Sequence, residues 1–172
     1  MQQSSRENYQ LVNATEQHLL SVKTWFNSTA QIFTWGGPNM VYPMADNDFL
    51  DLMQAEHLNS YVLTDNSQQM LAFGQFYMRL GRHHLGRLGV NPSFRGQGLA
   101  KPLIKKLLAL AHKQQNAQGA SLFVFADNLV ALQCYASLGF ELANYPDPMP
   151  GNMQNCLYMV LEQTSLLALI TN

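Results

Sequence analysis

Leu85-Gly86-Arg87-Leu88-Gly89-Val90-Asn91-Pro92 leads, two residues on, into Arg95-Gly96-Gln97-Gly98-Leu99-Ala100 and then a helical pattern that runs to Gln115. Leu85 to Val90 reads as a strand and Asn91-Pro92 ends it. Beyond the turn, Leu99, Leu103, Ile104, Leu107, Leu108 and Ala111 recur at helical spacing on one face. The glycines therefore stand where a strand hands over to a helix N-terminus. Such a terminus carries backbone N–H groups without intrahelical partners and the positive end of the helix dipole, so it suits a phosphate or pyrophosphate. Gly96 and Gly98 let the backbone approach a ligand closely. Pro102 fits a helix that begins near Gly98, because its missing N–H then falls in the first turn. Arg95, Lys101, Lys105 and Lys106 add positive charge there.

The turn is not a Walker P-loop, which needs Gly-Lys followed by Ser or Thr, since Leu99 and Ala100 follow Gly98. A dinucleotide fingerprint would need a third glycine and a distal acid, and neither stands in place. Arg95 to Ala100 instead resembles the acetyl-CoA signature of the GNAT superfamily of N-acetyltransferases, Arg/Gln-x-x-Gly-x-Gly/Ala. Upstream, Leu85 to Pro92 looks like that family's fourth strand and its exit. Downstream, Asn128-x-x-Ala131-x-x-x-Tyr135-x-x-x-Gly139-Phe140 looks like its second cofactor motif. The pieces stand in family order, and the resemblance spans roughly Ser60 to Leu161.

Composition agrees with one folded domain. The chain has 172 residues, 47% hydrophobic and 12% charged, enough to bury a sizeable core. Ten basic against eleven acidic side chains leave a net charge of −1, which removes the electrostatic case for nucleic acid. Cys134 and Cys156 lack metal-site spacing and read as small buried hydrophobes, so no metal is expected. Met1 to Tyr9 has no signal-peptide core and no run has the length of a membrane span, so a cytoplasmic location is expected.

Along the chain, Tyr9 to Ala14 reads as a strand and Glu16 to Phe26 as a helix capped by Thr15. Asn27 to Ala45 reads as an irregular stretch around a Trp35-Gly36-Gly37-Pro38 loop. Asp46 to His57 follows as a helix, Ser60 to Thr64 and Met70 to Met78 as strands, and Gly81-Arg82 as a turn into the next strand. Gly119 reads as the stop of the central helix, Leu122 to Ala126 as a buried parallel strand, and Asn128 to Leu138 as a helix closed by Gly139. Phe140 to Tyr145 and Asn155 to Glu162 read as the last strands. The resemblance implies an α/β (α+β) GNAT fold: a mixed sheet of about 6–7 strands flanked by about four helices. Residues 1–59 would form a helical acceptor-side region, 60–162 an acetyl-CoA-binding core and 163–172 a tail. Its run Leu166-Leu167-Ala168-Leu169-Ile170 would pack on its own domain or on a second subunit of a homodimer.

The resemblance also implies site roles. Backbone of Gly96, Gln97, Gly98, Leu99 and Ala100, beside Arg95, would cradle the pyrophosphate of acetyl-CoA. Leu88, Gly89 and Val90 would pair with the pantetheine arm. Gly86 and Gly89 inside a strand suggest a β-bulge or simply close packing; a bulge would turn the Val90 N–H toward the thioester as oxyanion donor. Asn128 and Tyr135, two helical turns apart, share a face. Asn128 would bond the pantetheine arm unless it is only an N-cap, and Tyr135 would protonate the departing thiolate unless it is only core. Many family members place a glutamate where His84 stands, so His84 would be the base. His83 lies on the opposite strand face, and Glu141 or an ordered water is the fallback.

Trp35 and Tyr42 would wall the acceptor pocket, and Asp46, Asp48 and Asp51 would attract a cationic acceptor unless they only serve their helix. The expected activity is acetyl transfer to a primary amine by direct attack, first on a small molecule. A protein α-amine or lysine is the alternative. A non-catalytic acyl-CoA sensor is the rival from another class, and a nucleotide-binding protein a more distant one.

Overall fold

The computed structural model describes residues 8–54 and 59–172. The N-terminal stretch read as leaderless lies largely outside those residues, as does the end of the helix expected to reach His57. Seven strands form one sheet in the order β1-β2-β3-β4-β5-β7-β6. They are β1 (Gln10–Asn13), β2 (Asn59–Thr64), β3 (Met70–Arg79), β4 (Arg82–Val90), β5 (Gly119–Phe125), β6 (Glu141–Ala143) and β7 (Cys156–Glu162). Among the described residues only β4 and β5 pair parallel, because the helix between them returns the chain to its starting end.

Among the described residues there are six α-helices against the four expected: α1 (Glu16–Lys23), α2 (Thr29–Gly36), α3 (Asp46–Gln54), α4 (Ala100–Gln114), α5 (Leu129–Ser137) and α6 (Gln163–Thr171). The two additional ones are α2 and α6. Ser28 caps α2 by accepting from the Gln31 N–H at 3.2 Å, and only Ile32 of that helix is fully buried, so its apolar periodicity is faint. Trp35 and Gly36 therefore end a helix rather than open a loop. Gly37, at φ +93°, is the helix stop and donates to the Phe33 carbonyl at 2.8 Å. The C-terminal segment is also helical, and it folds onto its own domain through Leu166, Leu169 and Ile170.

One core lies between the sheet and α4, where Leu99, Leu103, Ile104, Leu107, Leu108 and Ala111 are all buried. Each fully buried Leu or Ile there contributes roughly 1.5–3 kcal/mol. The other core joins α1, α2 and α3 to Val62 and Phe73 on the opposite sheet face. Helix α1 starts with a reciprocal cap: Thr15 Oγ1 accepts from the His18 N–H, and His18 Nδ1 accepts from the Thr15 N–H at 3.1 Å.

Gly119 corrects the sequence reading. The stop of α4 is Gln115, and Gly119 opens β5 at φ +140°. A Cβ there would run into the Leu161 carbonyl of β7 and the Arg82 guanidinium. Gly119→Ala is expected to destabilise the fold by about 2 kcal/mol or more, read from the urea midpoint. An unchanged midpoint would show that β5 and β7 can move apart there at no cost.

Candidate active site

The parallel pairing of β4 and β5 is short. His83, His84 and Leu85 pair with Ala120, Ser121 and Leu122, and the strands then part. The gap between Gly86–Val90 and Phe123–Phe125 opens into a cleft of about 1360 Å³. One end is bounded by Arg95, Gly96, Gly98, Leu99, Ala100 and Lys101; Gln97 is exposed and stands outside the lining. Gly96 and Gly98 sit at φ +79° and +74°, with open space where a Cβ would project. Among the described residues, none of the amides from Gly96 to Lys101 has a backbone acceptor. Pro102, third in α4, has no N–H, and the first intrahelical bond of this turn runs from the Leu103 N–H to the Leu99 carbonyl at 3.2 Å. The cradle thus presents open backbone donors at a helix dipole's positive end, which fits a pyrophosphate.

The bulge lies between the two strand glycines. Gly89 pairs with Phe73 and Gly86 with Gln75, leaving Arg87 and Leu88 opposite the single residue Gly74. Arg87 takes φ +48°, and its carbonyl accepts from Trp35 Nε1 at 2.8 Å. Trp35 stacks on Phe26 at 4.8 Å and lies over Gly89, where a Cβ would meet its Nε1 at 3.1 Å. The bulge therefore lies between both glycines, while close packing constrains Gly89 alone, since a Cβ at Gly86 would make only ordinary contact with Tyr77. The Asn91 N–H donates to the Leu71 carbonyl at 2.9 Å, so strand alternation turns the Val90 N–H toward the gap.

Asn128 caps α5, its Oδ1 accepting from the Ala131 N–H at 3.3 Å, and it also lines the cleft. That cap leaves its Nδ2 hydrogens for the cleft. Two turns on, the half-buried Tyr135 lines the cleft, and burial raises its pKa above the usual phenol value. It stays protonated at every working pH. Cys134 and Cys156 are half-buried rather than buried and also line the cleft, their thiols pushed up by burial.

His83 and His84 face opposite sides of β4. His83 packs beside His112 of α4, with ring centroids 6.2 Å apart, while His84 faces the cleft. The His84 Nδ1 bonds Ser121 Oγ at 2.8 Å, and its ring packs on Phe123 at 4.6 Å. Burial, reinforced by the nearby Arg79 cation, lowers its pKa to about 3. The desolvation that seats His84 in the cleft therefore removes most of its basicity. Glu141 is exposed and does not line the cleft.

The folded protein protonates His84 only near pH 3, whereas the unfolded chain does so below about 6.5. Its contribution to stability is thus complete above pH 6.5 and lost as pH falls toward 3. Between pH 6 and 4.5, wild type is expected to lose more unfolding free energy than His84→Gln, by about 1 kcal/mol per pH unit. Parallel stability curves for the two proteins would refute this.

The sequence reading missed the residues on the other wall. Gln75, Tyr77 and Arg79 alternate along β3 onto the cleft face, and a charge at such a position was the available signal. Arg79 donates to the Tyr145 and Tyr77 hydroxyls at 3.0 Å each. Its guanidinium carbon stands 5.3, 5.0 and 5.9 Å from the ring centroids of Tyr77, Phe123 and Tyr145. Above this wall, Phe33 meets Phe125 at 5.7 Å and Pro38 abuts Gly151. Trp35 lines the cleft, but Tyr42 does not. Asp46, Asp48 and Asp51 also lie outside the lining, and Asp46 accepts from Lys23 Nζ at 2.6 Å.

A splayed pair of parallel strands, with a glycine turn and helix N-terminus at the far end, fits the CoA of an acetyl-CoA-dependent N-acetyltransferase. The chain belongs to the acetyltransferase (GNAT) family, whose family model matches residues 20–140. It is 34% identical over 128 residues to the [ribosomal protein bS18]-alanine N-acetyltransferase of Haemophilus ducreyi, covering 69% of this chain and 83% of that one. The spermidine N-acetyltransferase of Vibrio cholerae, solved with CoA and spermine, superposes with a TM-score of 0.73 at 16% identity, over 92% of this chain and 98% of that one. An N-acetyltransferase from Staphylococcus aureus Mu50 gives a TM-score of 0.67 at 16% identity, over 90% and 98%. At such identity the solved structures establish the fold alone. Among the described residues, no helix is long and apolar enough to cross a membrane.

Proposed function

We propose that this acetyltransferase acts on the primary amine of a small molecule. The contacts of Phe33 with Phe125 and of Pro38 with Gly151 carry that reading, because they bring α2 and the turn after it against β5 and the loop before β7 beside the cleft. A cleft narrowed in this way and lined by aromatic rings suits a small ligand better than a protein chain. Gly96, Gly98, Leu99 and Ala100, with Arg95, hold the pyrophosphate through backbone donors and charge. Leu88, Gly89 and Val90 offer the free strand edge to the pantetheine arm, and Asn128 adds its side-chain amide.

Acetyl-CoA supplies the activated acyl group as co-substrate. Transfer forms one C–N bond and breaks one C–S bond; nitrogen gives up a proton and sulfur gains one. The Val90 N–H is the oxyanion donor and Tyr135 Oη the donor to sulfur. His84, neutral at working pH, accepts a hydrogen bond from the amine or from a water beside it, and the proton leaves through water. A side chain with a pKa of about 3 is too weak a base to take that proton alone.

The curated relative acetylates a ribosomal protein, which makes a protein α-amine the second reading. Calorimetric titration with acetyl-CoA, then thiol release against matched small amines and N-terminal peptides, separates these readings. Small amines are expected to exceed peptides in kcat/KM by at least ~10-fold. Peptide preference would overturn the small-molecule reading, and acetyl-CoA binding without turnover would favour a sensor.

A further inference from the structure

The acceptor wall carries the Arg79 cation, which among the described residues has no ion-pair partner. Among the described residues, no Asp or Glu lines the cleft, while Arg79, Arg87, Arg95 and Lys101 do. The two ion pairs among those residues, Lys23–Asp46 and Arg82–Glu162, both lie elsewhere. Arg95 and Lys101 belong to the phosphate end. Arg79 does not: it sits at the closed end of the gap, 5.0 Å from Phe123, the first β5 residue beyond the parallel pairing.

A guanidinium keeps its charge at any working pH, and partial burial without a counter-ion is unfavourable. Its known partners, two phenol hydroxyls and three ring faces, orient it without cancelling its charge. Two of its five N–H donors are engaged, which leaves donors for a planar anion. The same cation depresses the ionisation of His84 and would repel an acceptor with several ammonium groups.

Resting on the small-molecule reading above, we propose that the acceptor is an amino carboxylate: a small apolar or aromatic amine that also bears a carboxylate, held by Arg79 at the closed end of the gap. The guanidinium takes the carboxylate, the rings of Tyr77 and Phe123 take the apolar body, and the amine points along the gap toward Val90 and Tyr135. Arg79 is a specificity residue and takes no part in bond making. A polyamine is excluded by the same charge.

The test compares amino acids with their decarboxylated amines, such as phenylalanine with phenethylamine and lysine with cadaverine, beside spermidine and N-terminal peptides. Thiol release and product mass are followed for wild type, Arg79→Gln and Arg79→Lys. In wild type, amino carboxylates are expected to exceed their decarboxylated partners in kcat/KM by roughly 100-fold. Arg79→Gln should collapse that ratio to within a few-fold, mainly through KM, and Arg79→Lys should restore part of it. Unchanged acetyl-CoA affinity and melting temperature in both variants separate lost recognition from lost folding.

Equal use of decarboxylated amines or spermidine, with the ratio unmoved by Arg79→Gln, would overturn this inference and leave the small-molecule reading standing. Acetylation of peptides alone, or of nothing on the panel, would overturn both.

Discussion

Gly98→Val is expected to weaken acetyl-CoA binding by at least ~100-fold in calorimetry, about 2.7 kcal/mol, while the melting temperature falls by only a few degrees. The backbone of Gly98 stands at φ +74°, where a β-branched residue is strained, so part of the effect is a reshaped turn. The rest is steric. A Cβ at Gly98 meets no protein atom within 4 Å, so the new side chain does not disturb the core; it projects into the space the cradle keeps open. The open amides from Gly96 to Lys101 would lose their common direction as well. Gly98→Ala should fall between the two, since it shares the strain but adds less bulk. Wild-type affinity in Gly98→Val would remove this turn from the binding site.

Tyr135→Phe is expected to lower kcat by roughly 10²–10⁴-fold with acetyl-CoA affinity changed only a few-fold. The ring is retained, so packing on Phe140, with centroids 6.2 Å apart, is preserved. Only the hydroxyl is lost, and burial keeps that hydroxyl protonated through the working range. A thiolate leaving into a desolvated cleft then has no side-chain donor at this position and must draw its proton from water. Pre-steady-state thiol release isolates the chemical step from product release. An unchanged rate would reduce Tyr135 to a packing residue.

Several features were legible because they are written in contiguous residues. The strand from Leu85, the Asn91-Pro92 exit, the glycine turn and the six apolar positions of α4 each follow from local rules. Asn128 and Tyr135 could be placed on one helix face by their spacing alone. The bulge was half legible: Gly86 and Gly89 marked the place, but its extra residues, Arg87 and Leu88, emerge only from pairing with β3. Helix α2 was hidden because Gly36-Gly37-Pro38, which ends a helix, looks like a loop when the helix buries a single residue fully. Arg79 was hidden because nothing local says that a strand arginine faces a cleft instead of solvent.

By itself, then, the sequence determined the class of fold, the strand–turn–helix whose open amides suit a pyrophosphate, and the family whose co-substrate fits it, because glycine conformation, capping and apolar periodicity act over a few residues. Tertiary structure decided the rest: that α6 packs on its own domain, that His84 is buried against Ser121 and Phe123, and that Arg79 faces the cleft. Burial, solvation and charge depend on which distant segments meet. Ser121, Phe123 and Arg79 meet His84 only after the strands have paired.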